Sequence, residues 1–441
     1  MENKMELKLL MRDAGLVGAG GAGFPSYAKL AGGADTLLIN GAECEPLLYT
    51  DYVILKNEAE LVVAGIEAVL DDLGIPKAYL AIKKHTAKRL SLSDGEPLSG
   101  RVAVRVLGDV YPTGDEISLI HEALGRTVKP GKLPISSGVI VYNVETMYNL
   151  GRLVRYGEPV TEKWLTVGGN IDTPTVVKVP VGTKVSKLLE RLGIKIPEGH
   201  TLIDGGPSMG KIVSLTTAVV TKTTKGLLIL PDTSRAVESK LINEKMAVAR
   251  AETACCQCTR CTDMCPRNLL GYPLEPHKMV RTAMGAAKVM PRMVISATLC
   301  CGCGICENLA CSQGISPKAV INNYKALLRE NKIRYLSEED VNPAPEREYR
   351  RIPSKKWADA LGIARFDRVA EYMGRLDGFG YAELQLGKHI GLPSVALVSD
   401  GDTVKKNDMV ARGGDGLSVA QHAPFDGVVR VLADKIIITE A

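Results

Sequence analysis

Aromatic side chains are scarce in this chain of 441 residues, which contains 4 Phe, 2 Trp and 14 Tyr. Proteins that bind single-stranded nucleic acid stack its bases on aromatic rings, so this composition argues against such a function. An excess of positive charge is also lacking, because 55 Lys and Arg stand against 50 Asp and Glu and are interspersed with them. Without a basic stripe to follow a phosphate backbone, we expect no nucleic-acid partner.

Long apolar runs are missing as well. The longest, at 61–70, is interrupted by Gly65 and Glu67, whereas a membrane-spanning helix needs about 20 consecutive apolar residues. The opening stretch MENKMELKLLMRDAG lacks the apolar core and the cleavage site of a secretory signal peptide. We therefore expect a cytoplasmic protein without a membrane span.

Common signatures of side-chain catalysis are absent too. The sequence contains no P-loop, no nucleophile elbow and no Ser-His-Asp order. Its six His show none of the HxxxH or HxH pairings that bind metal ions. We therefore nominate no catalytic side chain.

Cysteine, by contrast, is concentrated in one region, since ten of the eleven cysteines lie between Cys255 and Cys311. In a cytosolic chain such clustering indicates metal or cluster ligation rather than disulfide bonds. The first run, C-x2-C-x2-C-x3-C-P from Cys255 to Pro266, has the spacing of bacterial ferredoxins. The second run, from Cys300 to Cys311, has one more residue in its last gap and lacks the proline.

Two [4Fe–4S] clusters are the interpretation that we favour. In two-cluster ferredoxins the fourth Cys of each run serves the other cluster. The first predicted ligand set is Cys255, Cys258, Cys261 and Cys311, and the second is Cys265, Cys300, Cys303 and Cys306. A pair of zinc sites is the alternative, but two CxxC knuckles would leave the third Cys of each triplet unexplained. Of the remaining Cys44, Cys256 and Cys301, we expect the last two to be non-ligating thiols.

Five units are predicted along the chain. Residues 1–157 alternate strands with helices, which predicts an α/β unit with a largely parallel sheet. The predicted strands are 36–40, 78–82, 102–107 and 138–142, and the clearest helix, 51–73, ends at Gly74. Residues 158–235 predict a smaller unit, 245–330 contain the cysteines, and 331–384 predict a charged linker or surface excursion. Residues 385–441 predict a small barrel or sandwich of short strands.

A glycine-rich stretch lies at 18–23, where GAGGAG contains the pattern G-x-G-x-x-G. A dinucleotide-binding fingerprint requires a preceding strand, but residues 5–15 have a helical pattern, so we reject a plain Rossmann site. The glycines still allow the backbone to approach a flat or phosphorylated ligand, with N–H groups as anion donors. A tight loop without a ligand is the alternative.

Four stretches, GAGGAGFP, NGAECEP, YPTGDE and YNVET, follow one another along the chain. In this order they resemble the flavin-binding domain shared by the NADH-binding subunit of respiratory complex I and the C component of the Rnf electron-transport complex. PVGTKVSKLLE and LIDGGPSMGK, which come next, are similar to the soluble-ligand-binding (SLBB) β-grasp domain of those proteins. The double ferredoxin insert resembles the Rnf C component rather than complex I.

The last stretch, from DGDTVKKND to APFDGVV, is similar to a barrel-sandwich hybrid domain of the biotinyl/lipoyl type. Its position at the end of the chain matches the cobalamin reductases of propanediol-utilisation microcompartments. Lipoyl-type domains carry their prosthetic group on a hairpin Lys, but no Lys occurs between Lys406 and Lys435. Covalent biotin or lipoate is therefore excluded, and a docking or structural role is predicted for this domain.

The resemblance implies a multidomain α/β fold. It places an FMN-binding α/β domain at 1–157, an SLBB β-grasp domain at 158–235, a two-cluster ferredoxin-like helical domain at 245–330 and a β barrel-sandwich hybrid at 385–441. The residues that match the family's FMN cradle and its surroundings are Gly18, Gly20, Gly21, Gly23, Phe24, Lys29, Asn40, Glu43, Glu45, Tyr111, Gly114, Asp115, Glu116 and Asn143. Glycine N–H groups and Lys29 would hold the FMN phosphate, and Asn40 and Asn143 would bond polar edges of the cofactor.

The implied function is an NADH-dependent oxidoreductase that passes electrons through FMN and two [4Fe–4S] clusters to cobalamin, inside a bacterial microcompartment in the cytoplasm. The implied partners are NADH and cobalamin or a cobalamin-handling enzyme. A second hypothesis changes the acceptor to an iron–sulfur shell protein or a glycyl-radical activase. A third is an electron relay or docking protein that does not oxidise NADH. Ala19, Ala42 and Tyr142 motivate it, because the complex I family has Arg, Asp and Asn there.

Overall fold

Four parallel strands organise the first part of the chain. The structure, a computed structural model, describes residues 6–30, 32–285 and 290–440. The elements of this part are α1 (Leu7–Asp13), β1 (Thr36–Gly41), α2 (Thr50–Leu73), β2 (Ala78–Lys83), α3 (Lys84–Leu90), β3 (Val102–Leu107), β4 (Val110–Tyr111), α4 (Glu116–Leu124), β5 (Val139–Asn143) and α5 (Val144–Tyr156). The sheet order is β3-β2-β1-β5, and every pairing is parallel. The predicted strands and the parallel sheet are confirmed.

Helices α2 and α5 approach each other at backbone distance. A Cβ at Gly65 of α2 would overlap the Met147 carbonyl oxygen of α5, and a Cβ at Gly151 of α5 would overlap the carbonyl oxygen of residue 61. Glycine at both positions therefore permits this close packing. The starts of the two helices are neighbours as well, because Asn143 Nδ2 donates to Asp51 Oδ2 across 2.9 Å. Two polar side chains are thus fixed beside the ends of β1 and β5.

A mixed sheet forms the second part. Its elements are β6 (Glu162–Gly169), β7 (Thr175–Pro180), α6 (Val185–Arg191), β8 (His200–Asp204), β9 (Lys211–Ile212), β10 (Gly226–Pro231) and α7 (Arg235–Leu241). Strand β6 pairs in parallel with β10 and antiparallel with β7, and β8 and β9 extend the sheet beyond β10. Leu188 and Leu189 of α6 share one buried cluster with Val177 and Leu227 of the sheet, which fixes the helix against the strands.

Short helices carry the cysteine region. They are α8 (Glu244–Ala254), α9 (Arg260–Asp263), α10 (Pro266–Leu269), α11 (Pro276–Ala283), α12 (Pro291–Ile295) and α13 (Pro317–Glu330). Four of them begin with proline, which suits the first helical position because the N–H group there has no partner within the helix. The prolines therefore mark the starts of these four helices. Most of the cysteines lie on the intervening loops or at helix ends, and Cys261 lies within α9.

Residues 331–384 were predicted as a charged linker or excursion, and the structure corrects this prediction. The segment contains α14 (Arg347–Arg350), β11 (Ile352–Pro353), α15 (Ser354–Ala360) and β12 (Glu371–Arg375). Strand β11 pairs with β4, and β12 adds to the second sheet beside β7. Trp357 is fully buried. Charged residues throughout the segment obscured the apolar side chains of Ile352, Trp357, Leu361, Ile363 and Phe366, which belong to one buried cluster.

The end of the chain forms two small antiparallel sheets. Their strands are β13 (Tyr381–Gln385), β14 (Val395–Ala396), β15 (Thr403–Val404), β16 (Met409–Arg412), β17 (Gln421–His422), β18 (Gly427–Val431) and β19 (Lys435–Glu440). The sheet orders are β13-β19-β18-β15 and β14-β16-β17, which confirms the predicted class of small β unit. We name residues 381–440 the tail barrel. Among the described residues, every helix is too short or too polar to span a membrane.

Candidate cofactor sites

A cleft of about 620 Å³ opens where β1 and β5 end. Ligands of open α/β sheets bind at the carboxyl ends of parallel strands, and small-molecule pockets have volumes of roughly 300–1,000 Å³. The predicted cofactor residues that line it are Gly18, Gly20, Phe24, Lys29, Asn40, Glu43, Glu45, Gly114, Asp115, Glu116 and Asn143. Four separate stretches of sequence thus converge on one cavity.

Three of the predicted cofactor residues lie outside this lining. Gly21 and Gly23 have φ angles of 105° and 67°, which glycine adopts without strain. A Cβ at Gly23 would lie only 2.7 Å from Thr223 Cγ2. Tyr111 is buried, and its ring stacks on Trp357 with the centroids 4.6 Å apart. The two glycines therefore shape the loop, and the tyrosine packs behind the cleft.

The glycine loop, residues 18–24, is closed by its own backbone. The Gly18 N–H donates to the Phe24 carbonyl at 2.8 Å, and the Gly23 N–H donates to the Gly18 carbonyl at 3.2 Å. The N–H of residue 19 donates to Thr146 Oγ1 at 3.1 Å, which holds the loop against the start of α5. A Cβ at Gly20 would lie 3.8 Å from the Cβ of residue 143. A side chain at position 20 would therefore point toward residue 143, which also lines the cleft.

The amine and amide groups of the cleft are held by neighbouring residues. Lys29 Nζ contacts Glu116 Oε1 at 2.7 Å and donates to the Val141 carbonyl at 2.9 Å. Asn40 Nδ2 donates to the Gly114 carbonyl at 2.9 Å. An ammonium has three N–H donors, so Lys29 in this position retains one for an anionic ligand.

Buried charges that sequence reasoning missed also line the cleft. Asp51 and Lys225 form an ion pair 2.5 Å long, with 3% and 9% of their side chains exposed. The Asp51 N–H donates to Glu43 Oε1 at 3.1 Å. Burial, followed by repulsion from Asp51, raises the pKa of Glu43 to about 7. Asp51 and Lys225 are 174 residues apart, so no local pattern signalled their pairing.

The cysteine region forms part of the cleft wall. Cys44, Cys301 and Cys303 all line the cleft. The Tyr111 hydroxyl donates to the Cys303 carbonyl at 2.7 Å, which joins β4 to the second cysteine run. The candidate flavin cleft and the candidate iron–sulfur region are therefore one continuous structure.

The first thiol group comprises Cys255, Cys258, Cys261 and Cys311, the first predicted ligand set. Burial, followed by repulsion from the thiols of Cys311, Cys258 and Cys255, raises the pKa of Cys261 to about 12. Each of these three thiols is therefore within electrostatic range of Cys261. Cys258 is exposed, and the other three are partly exposed. This group lies at the protein surface beside Cys256, which is also exposed.

The second thiol group comprises Cys265, Cys300, Cys303 and Cys306. The pKa of Cys306 is raised well above its usual range, first by burial and then by repulsion from Glu307 and from the thiols of Cys300 and Cys265. Cys300 is partly exposed, and the other three are buried. In the described part of the chain, no three His, Cys, Asp or Glu side chains gather closely enough for a single metal ion. The structure nevertheless brings the members of each predicted set into one neighbourhood.

Two family models match parts of the chain. The Nuo51 FMN-binding domain of complex I matches residues 11–152, and a 4Fe-4S dicluster domain matches residues 254–316. The first match contains most of the cleft residues, and the second contains both thiol groups.

Cobalamin reductase PduS of Salmonella typhimurium is 36% identical over 439 residues, which cover 98% of this chain and 96% of that protein. The chain belongs to the PduS cobalamin reductase family. PduS of Citrobacter freundii is 35% identical, with 97% of this chain and 94% of that protein covered. The C component of the Na⁺-translocating ferredoxin:NAD⁺ oxidoreductase complex of Acetobacterium woodii is 30% identical, over 60% of this chain and 58% of that protein.

This member of the PduS family is a flavin and iron–sulfur oxidoreductase with FMN and [4Fe–4S] cofactors. The structure fits both groups. The backbone of Gly18 and Gly20 lines the cleft beside the Lys29 amine, and the eight cysteines supply the thiolate ligands that iron–sulfur clusters bind. The dicluster match favours iron–sulfur over the alternative of paired zinc sites.

Proposed function

We propose that the chain oxidises NADH at the cleft and delivers electrons singly, by way of FMN and two [4Fe–4S] clusters, to cobalamin. Bound FMN accepts a hydride as two electrons and can release them one at a time. The observation that carries the proposal is the shared wall, since Cys301 and Cys303 line the same cleft as the candidate FMN residues. The names of the PduS relatives support cobalamin as the acceptor.

The division of labour among the cleft residues follows from their contacts. The Gly20 N–H and the remaining N–H of Lys29 would hold the FMN phosphate, as anions favour backbone N–H groups and a cation. The Gly18 N–H is taken by the Phe24 carbonyl, so Gly18 would contribute the shape of the loop. Asn40 and Asn143 are already held by the Gly114 carbonyl and by Asp51, respectively. Asn40 Oδ1 and Asn143 Oδ1 also accept the N–H groups of residues 42 and 145. The second N–H of Asn40 Nδ2 and the second lone pair of each oxygen would bond the edges of the cofactor. Preorganised groups lose little freedom on binding, which favours affinity.

The two thiol groups would hold one [4Fe–4S] cluster each. The second thiol group is more buried than the first and contains Cys303 of the cleft wall. The first thiol group is closer to the solvent. This placement supports a path from the cleft through the second group to the first, and then to the acceptor at the surface.

We further propose that the protein works inside a bacterial microcompartment in the cytoplasm, where an iron–sulfur shell protein is the alternative acceptor.

A second candidate is an electron relay that does not oxidise NADH. Ala19 and Ala42 are 2% and 1% exposed, so neither brings a polar group to a dinucleotide. The hydroxyl of Tyr142 donates to the Ser26 carbonyl at 2.8 Å and is therefore occupied. These three observations favour the relay.

An anaerobic NADH titration of the reconstituted protein tests the proposal. We expect flavin absorbance to bleach and reduced-cluster EPR signals to appear, followed by reduction of added cob(III)alamin. Bleaching by dithionite but not by NADH would support the relay instead.

Two cysteine variants test the ligand assignment. Cys255→Ser should remove one of the two cluster signals, because Cys255 is an assigned ligand. Cys256→Ser is the matched control, since Cys256 is the exposed neighbour with no assigned role, and it should keep both signals. Equal loss in both variants would refute the assignment.

A further inference from the structure

The tail barrel reaches into the cleft. Ile390, in the loop between β13 and β14, lines the cleft with 46% of its surface exposed. Its N–H donates to the Gly23 carbonyl at 2.9 Å. A Cβ at Gly23 would lie 3.4 Å from His389 Cα, so the two loops pack backbone against backbone. One wall of the candidate cofactor site is therefore supplied from the end of the chain.

The turn between β16 and β17 packs against residues on both sides of the glycine loop. The Arg12 guanidinium donates to the carbonyls of Gly413 and Gly414 at 3.3 and 3.2 Å. The Tyr27 hydroxyl donates to the Gly416 carbonyl at 3.1 Å and accepts the Ser418 N–H at 3.3 Å. Arg12 precedes the glycine loop and Tyr27 follows it, so the same turn holds both ends.

Lys222 completes this junction from the second sheet. Its buried Nζ donates to the Gly15 and Ala420 carbonyls, both at 2.9 Å. Gly15 has a φ of 73°, and a Cβ there would overlap the Lys222 amine. The lysine thus ties together Gly15, which lies shortly before the glycine loop, the loop 221–225 and the tail barrel. The same loop also supplies Lys225 to the cleft.

We infer that the tail barrel is a positioning element of the cofactor site, which holds the glycine loop in shape and closes one wall of the dinucleotide pocket through Ile390. The identity of the dinucleotide rests on the proposed function, whereas the support of the glycine loop does not. Loops are mobile unless they are held, and a ligand site needs its groups kept within about 0.5 Å of the productive geometry. The turn at 413–416 therefore buttresses the flavin unit.

Substitutions in the full-length protein separate the two parts of the inference. Tyr27→Phe removes both hydrogen bonds to the turn while keeping the ring, and should weaken FMN binding roughly three- to tenfold. Ile390→Ala should raise the KM for NADH roughly tenfold without changing kcat, because it shortens an apolar wall that contacts the ligand equally throughout the reaction. Val428→Ala is the control, since Val428 lies elsewhere in the tail barrel and is 42% exposed.

The readouts are the FMN dissociation constant of flavin-depleted protein, measured by fluorescence, and the steady-state constants for NADH. If the FMN dissociation constant of Tyr27→Phe is within twofold of that of Val428→Ala, the inference that the tail barrel supports the glycine loop is wrong. An unchanged KM in Ile390→Ala would overturn its role in the cleft wall. If NADH reduces neither the wild type nor any variant, the proposed function fails, while the FMN affinities still decide whether the tail barrel positions the loop.

Discussion

Replacing Lys225 with Met tests the energetics of the buried charges at the cleft. Lys225 is the cation that pairs with Asp51 at 2.5 Å, and Glu43 lies beside them. Burial by itself lowers the pKa of Lys225. Attraction to the carboxylates of Asp51, Glu43 and Glu145 is the larger effect, so the pKa of Lys225 is raised overall. In Lys225→Met the two carboxyl groups of Asp51 and Glu43 share a buried site without their cation.

The magnitude follows from the burial of the pair. Removing one partner of a buried ion pair destabilises a protein by about 3–5 kcal/mol. The loss depends on pH, because the folded-state pKa of Glu43, already about 7, rises further without Lys225. A carboxyl whose folded pKa is raised loses stability as the pH increases. We therefore expect the deficit of Lys225→Met to be larger at pH 8 than at pH 6.

Calorimetry of three variants at both pH values provides the measurement. The double variant Asp51→Asn with Lys225→Met should regain at least half of the lost stability, since it removes the unpaired charge. Lys56→Met is the matched control, because the side chains of the Lys56–Glu371 pair are 47% and 63% exposed and a solvated pair contributes little to stability. Equal shifts of the unfolding temperature in Lys225→Met and Lys56→Met, or a deficit independent of pH, would refute the reasoning.

Three further predictions concern other contacts. Tyr111→Phe removes the hydrogen bond to the Cys303 carbonyl but keeps the stack on Trp357, so the EPR signal or midpoint potential of one cluster should shift while the other stays unchanged. Gly65→Ala should destabilise the protein by about 1–3 kcal/mol in thermal unfolding, because the Cβ would overlap α5, whereas Gly100→Ala should be neutral because its Cβ meets no described atom within 4 Å. Burial lowers the pKa of Lys222 to about 7 from 10.5, so the folded state binds fewer protons than the unfolded state between those values. The stability of the wild type relative to Lys222→Met should therefore rise from pH 7 to pH 10, by up to about 1.4 kcal/mol per pH unit.

Local sequence information determined the chemistry of this protein and its first sheet. Cysteines separated by only two to four residues are held near one another by the chain itself, so their spacing indicates a cluster before any fold is known. The strands of the first unit and the cap at Gly74 were likewise predictable, because apolar periodicity and a left-handed glycine act within a few residues. The assignment of individual FMN residues stays a prediction that follows from resemblance.

Tertiary structure alone decided how these parts form one site. The pairing of Asp51 with Lys225 joins residues 174 apart, and the bond from Tyr111 to the Cys303 carbonyl joins residues 192 apart. Such contacts impose no period on the sequence, since each depends on which loops the packed sheets bring together. Burial of Trp357 within a charged stretch and the approach of Ile390 to Gly23 arise in the same way. The sequence by itself therefore determined which cofactor chemistry this chain can support, while the packing of distant segments placed the flavin cleft, the second thiol group and the tail barrel against one another.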